Sequence, residues 1–299
     1  MAKLIAIIVI IFSLTNAGHP ASASLLAERD TLLSEEYSFG SFRRAARLAF
    51  NTQGWLYVAD AGENAVLLFT SPGEKPKKIG GYGWGASSFD GPSGITTDGL
   101  TLYISDYHNH RIQRFDRHLN FLSSFSTRDT SFVSARFGFP SGVALSRLGD
   151  LFVLDSENSR ILKFTRSLQF ERSFGGLETE RGSLRNPSKL LMTSQDRIVV
   201  LDEDRLLEFD YFGSFIRSFG EGVLEKPTAF AVDANGFVVV SENALYWFSL
   251  NGALTHTLPL SQIVSSEPLT RLQDVALNGD RLYLLLEHRV VVVKMSSSR

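Results

Sequence analysis

The chain has 299 residues, 43% hydrophobic and 21% charged, with a formal net charge of −2 and no cysteine. That length suits one large domain or two medium ones, and all-β propellers use it as one. The near-neutral balance argues against nucleic-acid binding through a broad basic field, and the absence of cysteine excludes disulfides, thiolate catalysis and cysteine-held metals.

The first predicted element is a leader. MAK carries one positive charge, LIAIIVIIF is unbroken apolar sequence over residues 4–12, and SLTNAGHPASA is small and polar. This is the three-part form of a secretory signal, with cleavage expected at Ala21-Ser22-Ala23. The apolar run is short for a membrane span. An uncleaved anchor is the alternative. Residues 1–23 are therefore set apart, and residues 24–299 are expected to form a single secreted or periplasmic domain with no stable membrane insertion after cleavage.

Residues 31–42, TLLSEEYSFGSF, look like an outer strand without its blade. Six related stretches follow: LYVADAGENAVLLF (56–69), LYISDYHNHRIQRF (102–115), LFVLDSENSRILKF (151–164), IVVLDEDRLLEF (198–209), FVVVSENALYWF (237–248) and LYLLLEHRVVVV (282–293). Their marker position passes through Asp60, Asp106, Asp155, Asp202, Ser241 and Leu286, in steps of 46, 49, 47, 39 and 45 residues. Each stretch reads as two strands around a polar turn. An apolar run opened by Pro92, Pro140, Pro187 or Pro227 precedes four of them, and stretches such as FLSSF, FERSFG and FIRSFG follow. Four strands per copy and six copies at this period predict an all-β fold: a six-bladed β-propeller of four-stranded antiparallel blades. The last copy supplies only three strands, so the N-terminal strand is expected to close the last blade and remove two exposed edges. The turns of copies one to three are longer than those of copies four to six, which predicts taller loops on one half of the ring and an off-centre groove there.

The segments SDYHNHRIQRFD and DSENSRILKFT, with their neighbours PSGITTDG and PSGVALSRLGD, resemble the NHL-repeat family. Asn109 and His110 match the first two letters of the family name, with Arg111 where the third has Leu. The resemblance spans roughly residues 43–295 and fades after copy three. It implies a six-bladed propeller. It also implies a range of functions: RNA-binding and protein-binding modules, peptide-amidating lyases and, among related folds, lactonases of the regucalcin type.

Fold does not fix function, so the candidate sites come from residues. The start of the inner strands should surround the mouth of a central channel, where a few convergent polar groups make the default binding site. Aligned on the repeat proline, Arg47, Ser93, Ser141, Gln273 and the neighbouring Lys189 and Asp274 fall there. Small residues at these places are equally explained by crowding near the axis. A second set lies in loops. Tyr82 and Trp84, in the Gly-rich GGYGWGASSF, suit contact with a carbohydrate or peptide, or else cover a blade junction. Arg111 and Arg160 recur in the turns and would make an anion-binding face, or brace each turn against Asp106 and Asp155. His108 and His110 form an H-x-H in a turn without an obvious third ligand, so no metal or other cofactor is expected. No nucleophile elbow, Walker loop or dinucleotide fingerprint is present. The expected function is a non-catalytic scaffold for a protein, peptide or carbohydrate ligand, with no nucleic-acid partner. The alternative is a secreted hydrolase or lyase, lactonase-like or amidating-lyase-like, working at the channel mouth.

Overall fold

In the computed structural model, residues 33–295 are described; the leader expected over residues 1–23 lies outside them. They form six antiparallel sheets of four strands each, one per repeat, arranged as the blades of a propeller. Blades 1 to 5 run in sequence order from inner to outer strand: Ala45–Gly80, Pro92–Phe125, Pro140–Phe174, Pro187–Phe219 and Pro227–Pro259. Blade 6 takes three strands from Leu272–Lys294 and its outermost from Ser34–Phe39, which pairs with Val290–Lys294. The ring is thus closed by its N-terminal strand, as the missing strand of the last copy predicts. Among the described residues no helix is long and apolar enough to cross a membrane.

The core is divided into six clusters of buried residues, each shared by two neighbouring blades. The recurring Phe69, Phe115, Phe164, Phe209 and Phe248 are all buried in these junctions. The second strands are buried along their whole length in Leu56–Asp60 and Leu151–Asp155, and in all but the first residue in Thr101–Asp106 and Arg281–Leu286. The apolar–polar alternation of such a stretch therefore does not mark a wet face. A blade covers each side of it, and its polar members, Ser105 and Asp106 in blade 2, are enclosed too. The outer strands do alternate, because one of their faces meets water.

The repeated aspartate fastens each incoming linker to the hairpin. Asp60 accepts the backbone N–H groups of Arg43 and Arg44 at 2.8 and 2.9 Å. Asp106 accepts that of Asp90 at 2.7 Å, Asp155 that of Gly138 at 3.1 Å, and Asp202 those of Arg185 and Asn186, both at 2.7 Å. All four carboxylates are fully buried, and a buried carboxylate is tolerated only with such donors around it. Ser241 instead bonds within its own turn, to Ala244. Four residues separate the paired strands at Asp60–Ala65, Asp106–Arg111 and Asp155–Arg160, but only two at Asp202–Arg205 and Ser241–Ala244. The taller turns of blades 1 to 3 rise on the face where the inner strands begin.

Candidate functional site

Each inner strand begins with a register shift. Pro92 pairs with Asp106 and Gly94 with Ser105, so Ser93 is bulged out, and Ser141, Ser188, Thr228 and Gln273 are bulged in the same way. In blade 1, Ala45 takes the place of the proline and Ala46 is the bulged residue. Arg47 therefore belongs one layer deeper than alignment on the proline places it. It shares its layer with Gly94, Gly142, Lys189, Ala229 and Asp274. The sequence slipped here because copy one has no proline to anchor it.

This layer closes the channel. Arg47 Nη2 crosses from blade 1 to the carbonyl of Ser188 in blade 4, at 2.6 Å, and Nη1 donates to the carbonyls of Ala46 and Gln273 at 2.8 and 3.4 Å. Lys189 is ion-paired with Asp274, which also accepts the N–H groups of Leu48 and Val275, both at 2.9 Å. Burial pushes the Lys189 ammonium below its ordinary pKa and the nearby Arg47 charge adds to this, while Asp274 opposes both. The small residues make room for these side chains. A Cβ on Gly94 would meet the Gly142 Cα at 2.8 Å. What remains is a cavity of about 20 Å³ between Arg47, Ser141, Lys189 and Asp274, space for about one water molecule.

Above Arg47 the channel opens into a pocket of about 240 Å³. Arg47, Ser93, Ser141 and His108 line it together, as do Arg44, Tyr107 and Ser188. It lies off-centre, against the turns of blades 1 and 2. Of the channel residues singled out in the sequence, Lys189 and Asp274 sit beneath this pocket, and Gln273 lends its carbonyl to Arg47 while its amide folds onto the carbonyl of Arg271. Arg44, Tyr107 and Asp90 escape a sequence reading. The dibasic Arg43-Arg44 just before copy one was the only signal for Arg44. Asp90 Oδ1 lies 3.2 Å from His108 Nδ1, a pairing across a linker with no mark in the sequence.

The loop residues separate into two groups. Arg111 is nearly enclosed: it bonds Asp106 at 2.8 Å and the carbonyls of Trp84, Gly85 and Ser88 at 2.7, 3.1 and 2.8 Å. Asn109 holds the carbonyl of Gly83 at 2.9 Å and Gln113 that of Ser88 at 2.6 Å. The backbone of the Gly-rich loop is thus tied to blade 2, yet Tyr82 and Trp84 remain 76% and 64% exposed. Arg160 braces Asp155 at 3.2 Å and the carbonyl of Arg136 at 2.7 Å. His110 occupies a left-handed turn position, φ +49°, which favours Asn, Asp and His. Its Nδ1 lies 2.9 Å from the Gly138 carbonyl, away from the mouth pocket. Among the described residues no three His, Asp or Glu side chains gather in a way that would hold a metal. A larger hollow of about 720 Å³ lies between blades 5 and 6. Its Glu242 and Glu267 are already paired with Lys226 and Arg289, at 2.7 and 2.8 Å.

Comparison with known proteins agrees with this geometry. The NHL repeat family matches residues 89–115 and 137–164, the copies whose turns carry Asn109 and Asn158. The chain is an NHL-repeat six-bladed β-propeller. No curated protein matches it in sequence. Among solved structures, this NHL propeller is similar to virginiamycin B lyase from Staphylococcus aureus, at 11% identity and a TM-score of 0.59, over 88% of this chain and 99% of that one. A catalytically inactive variant of that lyase with quinupristin is similar at 14% identity and a TM-score of 0.61, over 84% and 80% of the two chains. A protein of unknown function from Bacteroides thetaiotaomicron is similar at 15% identity and a TM-score of 0.62, over 88% and 75%. At these identities the likeness is one of fold.

Proposed function

We propose that this NHL propeller is a secreted or periplasmic, non-catalytic binding scaffold that takes its ligand on the face bearing the hairpin turns. One observation carries the reading. Two large aromatic side chains, Tyr82 and Trp84, stand in water on a loop whose backbone is tied down by Arg111, Asn109 and Gln113. Aromatic groups held in place before binding lose little conformational freedom when a peptide or sugar ring lands on them. The loop runs on to Gly91, which lines the mouth pocket, so both features offer themselves to one ligand. The signal-like pattern of residues 1–23 in the sequence supports export. The test is a peptide and glycan array probed with wild type and with Trp84→Ala and Tyr82→Ala. Specific binding reduced by both substitutions supports the reading; an array without specific binding, or binding indifferent to both, refutes it.

A second reading has one specific observation behind it. His108 pairs through Nδ1 with Asp90 and lines the mouth pocket beside Arg47. A histidine oriented by a carboxylate, near a cationic group, is an arrangement that serves general-base chemistry, and similar solved structures are named as lyases. The scaffold reading is preferred because only Arg44 and Arg47 join His108 as charged groups lining that pocket. Turnover of a lactone or of quinupristin that disappears in His108→Ala would replace the first reading with this one.

A further inference from the structure

The axial layer is unevenly charged. It holds two cations, Arg47 and Lys189, and one carboxylate, Asp274, which is engaged by Lys189 and two backbone N–H groups. Arg47 is left with carbonyl acceptors alone. The pocket directly above it is lined by Arg44, Arg47 and His108 and by no Asp or Glu. Two further carboxylates of blades 1 and 2 serve other groups: Asp60 caps the backbone of Arg43 and Arg44, and Asp90 lies against the Nδ1 side of His108. Among the described residues neither Arg44 nor Arg47 has an ion-pair partner. A second, independent feature lies in the same wall. The Ser141 hydroxyl is buried with no hydrogen-bond partner, and Ser141 lines both the pocket and the small cavity beneath it. An unsatisfied buried hydroxyl is costly unless something completes it.

We propose that the mouth pocket is an anion subsite, which receives one carboxylate or phosphate group at the end of a larger ligand, bound by Arg47 and Arg44, with the enclosed Ser141 hydroxyl turning into the pocket to donate. The size of the pocket fixes how much of the ligand enters. About 240 Å³ is below the usual range for a whole drug-sized molecule, so the anionic end is seated and the remainder lies outside, on the face that carries Tyr82 and Trp84. Forked guanidinium donors match the oxygens of either group. The subsite rests on the binding-scaffold reading and gives it a ligand class.

The experiment is titration of the full chain with inorganic phosphate and, separately, with acetate, followed by calorimetry and by NMR. Wild type is expected to bind one equivalent of one probe saturably, and the probe that binds more tightly distinguishes phosphate from carboxylate ligands. Arg44→Gln, at an exposed position with no side-chain partner to lose, is expected to weaken binding about tenfold, and Ser141→Ala to weaken it less. Arg47→Gln is the stronger probe, but it also opens the channel, so Arg44→Gln decides. No saturable binding of either anion, or binding unchanged in Arg44→Gln and Ser141→Ala, overturns the subsite. The array with Trp84→Ala reads the scaffold independently: specific array binding with no anion binding discards the subsite and leaves the scaffold standing.

Discussion

Arg47 reaches across the propeller axis and donates to the carbonyl of Ser188 in the opposite blade, at 2.6 Å. A single side chain thus joins two blades that share no junction, and it lines the pocket at the mouth of the channel. Beneath it, Lys189 and Asp274 link blades 4 and 6. The channel is consequently a plugged axis with an open mouth.

The buried pair beneath the mouth gives the first prediction. Asp274→Ala strands a lysine ammonium that is almost wholly enclosed, and the loss is expected to be about 3–5 kcal/mol. Lys189→Met combined with Asp274→Leu removes both charges and is expected to cost far less than the sum of the single changes. Chemical denaturation of wild type, Lys189→Met, Asp274→Leu and the double variant measures the coupling; additive losses would mean that the pair is not a unit.

Asp106 gathers the N–H of Asp90 with the side chains of Asn109 and Arg111. Asp106→Ala is expected to destabilise blade 2 by about 3–5 kcal/mol, because Arg111 is left enclosed without its carboxylate. Hydrogen exchange should rise first in residues 83–90, the loop whose carbonyls Arg111 holds. Trp84→Ala, by contrast, removes an exposed ring and is expected to stay within about 0.5 kcal/mol of wild type.

Ring closure depends on Ser34–Phe39. A chain starting after Gly40 leaves the edge of Val290–Lys294 unpaired and uncovers the apolar face that Tyr37 and Phe39 help to cover. Such an edge templates association. Light scattering should show concentration-dependent aggregation of this variant at concentrations where the full chain stays monodisperse.

Tyr211 sets an alkaline limit. Its hydroxyl is bonded to Asp150, and chiefly for that reason its pKa is pushed up to about 12 from an ordinary 10. A raised phenol pKa contributes stability that is whole below the unfolded value and is lost as pH rises through the folded one. The difference in stability between wild type and Tyr211→Phe should therefore be largest at neutral pH and shrink between about pH 10 and 12. A difference that stays constant across that window would show that Asp150 does not hold the proton in place.

Much of the molecule was legible before any coordinates. The spacing from Asp60 to Leu286 gave six blades, the incomplete last copy gave the closing strand near Phe39, and the longer turns of copies one to three are seen, although blade 6, with three residues between Leu286 and Val290, falls between them and the two-residue turns of blades 4 and 5. The site was legible only in part. Ser93, Ser141 and Arg47 could be placed near the mouth, but Arg47 lay one layer too high without a proline at Ala45 to fix its register. Arg44 and the Asp90–His108 pairing had no repeated counterpart to draw attention to them.

Local periodicity and turn chemistry are written into adjacent residues, so the chain by itself determined strands and copies; it left Arg111 open between an anion-binding face and a brace on Asp106, five positions away, and the structure shows the brace. The plugging of the axis was decided by tertiary structure alone. Arg47 and Ser188 are 141 residues apart, and Lys189 and Asp274 are 85 apart. Only closure of the ring brings these side chains into one narrow, poorly solvated space, where a charge must find a partner across the axis.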